Sequence, residues 1–162
     1  MSEYKITKAD LNESNEYIGK TDLSNYNGSV TSDPNLGYIK VKSIRVTGGI
    51  YLSTGCGIEA GEGIEAGCGI EAGWGIKAGC GIVCKWISSR LRIFAGLCLC
   101  RLPTKEEQQI VCEELREGKI CFGELVIKKP EHISHTIEIN GKIVELSHES
   151  FVSLKQALGG AE

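Results

Sequence analysis

Isoleucine recurs every six residues in the middle of the chain. From Gly57 the sequence reads GIEAGE, GIEAGC, GIEAGW, GIKAGC and GIVCKW, which places isoleucine at positions 58, 64, 70, 76 and 82. A period of six does not fit a helix, which repeats after about 3.6 residues, but it keeps every isoleucine on one side of a strand. Glycines interrupt each hexad, so the strands must be short and end at glycine corners. The pattern predicts a hexapeptide β-solenoid.

Three hexads make one triangular coil of about eighteen residues, and each residue then stacks on a residue of the next coil about 4.8 Å away. The isoleucines form a continuous apolar column in this register. It predicts these neighbours: Ile58 and Ile76, Ile64 and Ile82, Glu59 and Lys77, Trp74 and Cys56, and Trp86 and Cys68.

Weaker apolar spacing extends the repeat in both directions. Upstream, apolar and polar residues alternate as in strands, with Ile39, Val41, Ile44, Val46, Ile50 and Leu52 as the apolar positions. Downstream, the spacing is looser, with Ile87, Leu91, Ile93, Leu97 and Leu99. We therefore predict a solenoid over residues 38–101, with residues 1–37 as an N-terminal capping segment.

The C-terminal third predicts a small α/β appendage to this mainly β chain. Thr104 and Glu107 have the spacing of a capping box, so a helix is expected to run to about Glu117, followed by a strand over Ile120–Ile127. These elements form a helix-strand cap over 102–129. In 130–162, Asn140-Gly141 predicts a β-hairpin, and a helix is expected over Glu149–Leu158.

Composition and charge limit the class of protein. Twelve of the 21 glycines lie between Gly48 and Gly81. This concentration indicates a structural repeat, whereas evenly spread glycines would indicate a flexible chain. The net charge of −3 argues against direct nucleic-acid binding. The sequence contains no apolar run of membrane-spanning length and starts without a secretory signal pattern. We therefore expect a protein of the bacterial host cytosol, with no membrane partner, whose eight cysteines remain thiols.

Residues that could support catalysis are poorly placed. Hexapeptide-repeat acyltransferases carry a catalytic histidine in a loop off the coils, whereas the three histidines of this chain lie at 132, 135 and 148, beyond the solenoid. His132 and His135 have a spacing that could share a metal, but no carboxylate or thiol accompanies them at ligand spacing. The sequence predicts a protein that is not an enzyme and that needs no metal or cofactor.

Two surface features are candidates for binding a partner. The variable corner of the repeat, which holds Cys56, Glu62, Cys68, Trp74 and Cys80, is expected to face solvent or a partner. An acidic stripe with Trp74 at its edge and a basic, aromatic end that includes Lys85 and Arg101 are expected to supply the contacts, because tryptophan and arginine are frequent binding hot spots. The predicted partner-binding residues are Glu59, Glu62, Glu65, Glu71, Trp74, Trp86, Arg90 and Arg92.

The run GIEAGEGIEAGCGIEAGWGIKAG and the later sequence Arg92-Ile93-Phe94-Ala95-Gly96 resemble the GI(E/K)AG-repeat proteins encoded by phages and prophages of Firmicutes. The likeness covers about residues 23–127. It implies a small phage accessory protein that inhibits a bacterial defence protein, such as a CRISPR-Cas effector, in the manner of an anti-CRISPR.

Two other functions remain open at this point. One is a self-assembling scaffold of the bactofilin kind, which light scattering over a concentration series would detect. The other is a sponge that sequesters a signalling nucleotide, which calorimetry with cyclic nucleotides would test. Residues 130–162 are also a candidate homodimer interface.

Overall fold

The computed structural model describes residues 2–98, 101–128, 134–139 and 142–147, together with Ser150 and Ser153. The chain divides into two compact units, Met1–Lys128 and Lys129–Glu162. The first unit is mainly β. Its strands are β1 (Ser2–Ile6), β2 (Gly28–Ser32), β3 (Gly37–Val41), β4 (Ile44–Val46), β5 (Ile50–Leu52), β6 (Cys56–Ala60), β7 (Ile64–Ala66), β8 (Gly69–Ala72), β9 (Ile76–Ala78), β10 (Ile82–Val83), β11 (Trp86–Ala95), β12 (Gln109–Cys112), β13 (Glu114–Phe122) and β14 (Glu124–Ile127).

Successive strands of this unit belong in turn to three stacks of parallel strands, which form three faces named here after their members β3, β4 and β5. The β3 face consists of β3, β6, β9 and the second half of β11. The β4 face consists of β4, β7, β10, β12 and β14. The β5 face consists of β1, β2, β5, β8 and the first half of β11, and β13 pairs with β11 beyond it. Because β11 is ten residues long, it pairs with strands of two faces and joins them into one curled sheet.

The repeat explains which side chains enter the core. In β7 and β9 the isoleucine and alanine of each hexad are buried, and the residue between them points outward. Ile58 pairs with Ile76 and Ile64 with Ile82, as the period of six predicts. Burial of these columns supplies the main driving force for folding, because apolar area is removed from water on all three faces.

The number of residues per coil changes along the chain. Ile50 pairs with Ile70, twenty residues later, whereas Ile70 pairs with Ile87, seventeen residues later. The shorter step follows from the spacing of five between Ile82 and Ile87, one residue less than a hexad. As a result Trp86 pairs with Gly69, and the predicted placement of Trp86 beside Cys68 is wrong by one residue.

The predicted helix from Thr104 to Glu117 is also wrong. The capping-box hydrogen bonds do form, since the Thr104 backbone NH donates to Glu107 Oε2 (2.8 Å) and the Glu107 NH donates to Thr104 Oγ1 (3.3 Å). They precede only a 3₁₀ turn, Glu106–Gln108. β12 follows at once and pairs with β10, so cross-strand hydrogen bonding of Ile110 and Val111 outweighs the local helix signal. The predicted strand over 120–127 is divided between β13 and β14.

The sheets also include segments predicted to be caps. β1 and β2 lie in the N-terminal 37 residues and continue the β5 face. Downstream, Ile87 and Ile93 are buried as predicted, but Leu91 (52% exposed) and Leu97 (38% exposed) point away from the core. Leu91 lies where β11 changes from one face to the next, so the alternation of buried and exposed positions shifts there.

The second unit contains the predicted hairpin. β15 (Ser134–Ile139) pairs antiparallel with β16 (Lys142–Ser147), and Ile139 pairs with Lys142 across the predicted turn. The helix predicted over 149–158 lies outside the described residues except for Ser150 and Ser153, which are helical. Across the described part of the chain, no helix is long and apolar enough to cross a membrane.

Candidate protein-binding surface

The four glutamates predicted as one acidic stripe lie on different sides of the first unit. Glu59 is on the β3 face, Glu65 on the β4 face and Glu71 on the β5 face, because each occupies the outward position of a different strand. Glu62 lies at the corner between β6 and β7. The prediction of a single stripe is therefore wrong, since consecutive hexads follow the coil around the molecule.

Three of these glutamates face a cation on the adjacent coil. Lys77 Nζ lies 3.3 Å from Glu59 Oε2, as the register predicts, and Arg45 Nε lies 2.6 Å from Glu65 Oε2. Lys42 Nζ lies 3.7 Å from Glu62 Oε1. Exposed pairs of this kind contribute little to stability, because solvent screens the charges. Glu71 is exposed and has no ion pair with any residue that the structure describes.

Trp74 belongs to an aromatic cluster at the edge of the β3 face. Its ring lies 5.8 Å from the ring of Tyr38, and Lys77 Nζ lies 4.4 Å from the Tyr38 ring centroid. The backbone NH of Trp74 donates to the Cys56 carbonyl (2.8 Å), which confirms the predicted neighbours. Trp74 is 40% exposed, whereas Cys56, its neighbour on the preceding coil, is buried. The prediction that Cys56 faces solvent or a partner is therefore wrong.

Trp86 forms a second cluster on the β5 face. Its ring stacks on Tyr51 with a centroid distance of 6.0 Å and an interplanar angle of 29°. The Arg116 guanidinium lies 4.0 Å from the Trp86 ring centroid and also bonds Glu114 through Nε (2.8 Å). The cluster thus combines two aromatic rings, a cation and a carboxylate from β5, β11 and β13, and β8 lies between β5 and β11.

Glycines provide the space in which these rings lie. A Cβ added at Gly57 would meet Tyr38 Cε1 at 2.7 Å, and one added at Gly75 would meet the Tyr38 hydroxyl oxygen at 2.5 Å. On the β5 face, a Cβ at Gly69 would lie 1.9 Å from Cε2 of Trp86. The repeat glycines therefore let large rings pack against bare backbone on the outside of the sheets.

The two predicted arginines, Arg90 and Arg92, take no part in these three ion pairs. Arg90 is exposed and lines a cleft on the β5 side with Glu71, Glu117 and Pro34. Arg92 is exposed in β11, where it pairs in register with Lys119 of β13. Lys85 is exposed, and Arg101 hydrogen-bonds Glu107, so the basic end is distributed along the last coils.

Tyr38, Tyr51 and Arg116 pack against the rings of the two tryptophans, but the sequence reasoning did not select them. A signal was present for the tyrosines, because each occupies an outward strand position two coils before a tryptophan. Arg116 carries no such signal, because the sequence predicts a helix for a segment that forms β13.

Two buried thiols, Cys84 and Cys112, are expected to react slowly. Burial raises the pKa of the Cys84 thiol to about 12, with a further contribution from neighbouring Cys112, whose own pKa is raised by burial. Such thiols stay protonated near neutral pH and are poor nucleophiles. Within the described ranges, no group of three or more His, Cys, Asp or Glu residues could hold a metal ion.

Comparison of the chain with protein-family models, curated proteins and solved structures found no match.

Proposed function

We propose that this chain is a non-enzymatic, phage-derived protein that inhibits a bacterial defence effector, in the manner of an anti-CRISPR, by direct protein contact in the host cytosol. The observation that carries the proposal is the exposed Trp74 ring beside Tyr38 and Lys77. Side chains that are already packed together lose little conformational entropy on binding, and tryptophan and tyrosine are enriched at binding hot spots.

In this proposal the parallel coils are a short hexapeptide-type β-solenoid that acts as a rigid support. Rigid elements position binding residues more accurately than loops do. The column of buried isoleucines beneath the outward residues supports this role, because it fixes Glu59, Lys77 and Tyr38 relative to one another. The partner is a bacterial defence protein, with CRISPR-Cas effectors as the first class to test.

The Trp86 cluster is proposed as a second contact region, with Glu71 and Arg90 beside it. Glu71 and Arg90 line the same cleft, and the ring of Trp86 is half-buried between Tyr51 and Arg116. A partner that places a hydrogen-bond donor and an acceptor in this cleft would pair with both Glu71 and Arg90. The β3 and β5 faces meet near Trp74, so one partner could contact both regions.

The test is co-expression with a panel of CRISPR-Cas and other defence systems, scored by phage plaques. Restored plaquing against one system is expected, and Trp74→Ala is expected to weaken binding to the purified effector about 30-fold, the equivalent of a loss of about 2 kcal/mol. Ile18→Ala is the matched control, because Ile18 is 61% exposed and outside both clusters.

Restored plaquing with wild type but not with Trp74→Ala, at equal expression and equal unfolding midpoint, would support the proposal. Absence of protection against every system of the panel would overturn it. Full activity of both Trp74→Ala and Trp86→Ala would show that the effector binds elsewhere.

A further inference from the structure

β14 is an edge strand with a free edge. It pairs in parallel with β12 on one side, and no described strand pairs with its other side. The Lys128 backbone NH donates to the Cys112 carbonyl of β12 (2.9 Å). Because NH and carbonyl groups alternate sides along a strand, Leu125 and Ile127 present theirs at the free edge. Unpaired edges of this kind are templates for another strand.

The apolar core reaches the surface at the same place. Leu125 pairs in register with the fully buried Ile110, and Ile127 with the buried Cys112. Yet Leu125 is 36% exposed and Ile127 is 45% exposed. These two side chains are therefore the last members of the core columns of the β4 face, and among the described residues of the first unit no further coil covers them.

The opposite end of the β4 face is closed by hydrogen bonds. The Tyr26 backbone NH donates to the Arg45 carbonyl (2.9 Å), and the Thr47 NH donates to the Tyr26 carbonyl (3.1 Å). The β3 edge is occupied in the same way, since the Tyr17 NH donates to the Lys40 carbonyl (2.8 Å). Head-to-tail stacking would have to break these bonds, whereas contact between two C-terminal ends would not.

The sequence of the free strand is complementary to itself. β14 together with the next residue, whose backbone NH still bonds β12, reads Glu124-Leu125-Val126-Ile127-Lys128. If two copies align antiparallel about Val126, Glu124 of each copy faces Lys128 of the other, and Leu125 faces Ile127. Cross-strand pairs of opposite charge and of apolar residues both stabilise an antiparallel ladder. In this alignment the edge-facing NH and carbonyl groups of Leu125 meet those of Ile127.

We propose that a second copy of this chain covers the end, through antiparallel pairing of β14 with β14 around a two-fold axis at Val126. Pairing in this register places Leu125 and Ile127 of both copies side by side and extends the buried column from one copy into the other. The interface is isologous and closed, so it yields a dimer and no filament.

A charge-swap experiment on the full chain tests the register, with mass measured by light scattering during gel filtration. Wild type is expected to be a dimer, and Glu124→Lys and Lys128→Glu are each expected to raise the dimer dissociation constant by about 10-fold or more. An equimolar mixture of the two variants is expected to regain the dimer. One variant then has lysine at both positions 124 and 128 and the other has glutamate at both, so opposite charges face each other again. The double variant is expected to dimerise as wild type does.

Two controls separate this interface from other ways of associating. Lys20→Glu makes the same charge change at an exposed site in the N-terminal segment and should leave the dimer unchanged. Ile143→Lys removes a side chain of the hairpin that is 75% exposed and should also leave it unchanged.

A monomeric wild type at about 100 μM, oligomers that grow with concentration, or loss of the dimer only in Ile143→Lys would each overturn the proposal. Failure of the mixed variants to recover the dimer, when both have the far-UV circular dichroism of wild type, would overturn the register.

Discussion

The indole of Trp86 lies against the backbone of Gly69, at the place where a side chain on that residue would begin. A Cβ there would lie 1.9 Å from Cε2 of the ring. Gly69→Ala is therefore expected to displace the ring and to destabilise the protein by about 1–3 kcal/mol, the usual cost of overpacking. Urea unfolding, together with the tryptophan fluorescence of the native state, measures both effects.

Gly61→Ala is the matched control for this prediction. A Cβ at Gly61 meets only the Lys42 carbonyl oxygen at 3.6 Å, an ordinary contact, so little change in stability is expected. In a Trp86→Ala background, the cost of Gly69→Ala should fall toward that of the control. An equal cost in both backgrounds would show that the ring is not the obstacle.

Ile82 and Val83 are neighbours on β10 with opposite environments. Ile82 is completely buried in the column of the β4 face, whereas Val83 is 46% exposed. Ile82→Ala is expected to lower the free energy of unfolding by about 2–5 kcal/mol, because a cavity replaces the side chain. Val83→Ala should change it by about 0.5 kcal/mol or less. Comparable losses for the two variants would contradict the inward and outward assignment of the hexad.

Glu107 links the segment before β12 to Arg101. Hydrogen bonds from the Arg101 guanidinium, followed by the bond from the Thr104 NH, lower the pKa of Glu107 from its usual 4.5 to about 2. A lowered folded-state pKa adds stability above the unfolded pKa, and this stability is lost as pH falls from about 4.5 toward 2. Wild type should therefore unfold at a higher temperature than Glu107→Gln at pH 6, and the gap should close toward pH 2.

Thermal unfolding followed by circular dichroism at pH 6, 4 and 2.5 checks this dependence. Glu13→Gln is the control, because Glu13 is exposed and makes no ion pair within the described part of the chain. If the difference in unfolding temperature between wild type and Glu107→Gln stays constant with pH, the ionised form of Glu107 is not its source.

The cysteines should react with iodoacetamide in the order of their exposure. Cys121 is exposed, whereas Cys84 and Cys112 are buried and have raised pKa values. At pH 8 Cys121 is expected to be alkylated before the other cysteines that the structure describes, and Cys84 and Cys112 only on unfolding. Peptide mass spectrometry over time, with and without urea, gives the order. Early labelling of Cys84 in the folded protein would contradict its place in the core.

Sequence reasoning succeeded where one local rule repeats. The six-residue period determined that Ile58 pairs with Ile76 and that Glu59 faces Lys77, because each hexad imposes the same alternation on the next. The Asn140-Gly141 signal also predicted the hairpin of β15 and β16, because a hairpin signal depends only on residues adjacent in sequence. Sequence reasoning failed between Thr104 and Glu117, where local signals favoured a helix and distant strands required hydrogen-bonding partners.

The sequence by itself determined the inward column of isoleucines, the outward glutamates and the glycine corners, since these depend on spacing alone. Only the tertiary structure decided that the glutamates are distributed over three faces, because the coil turns between one hexad and the next. It alone placed Tyr51, Trp86 and Arg116 together from segments far apart in sequence. It also left β14 at an edge, since that depends on how many coils the chain completes before Lys128.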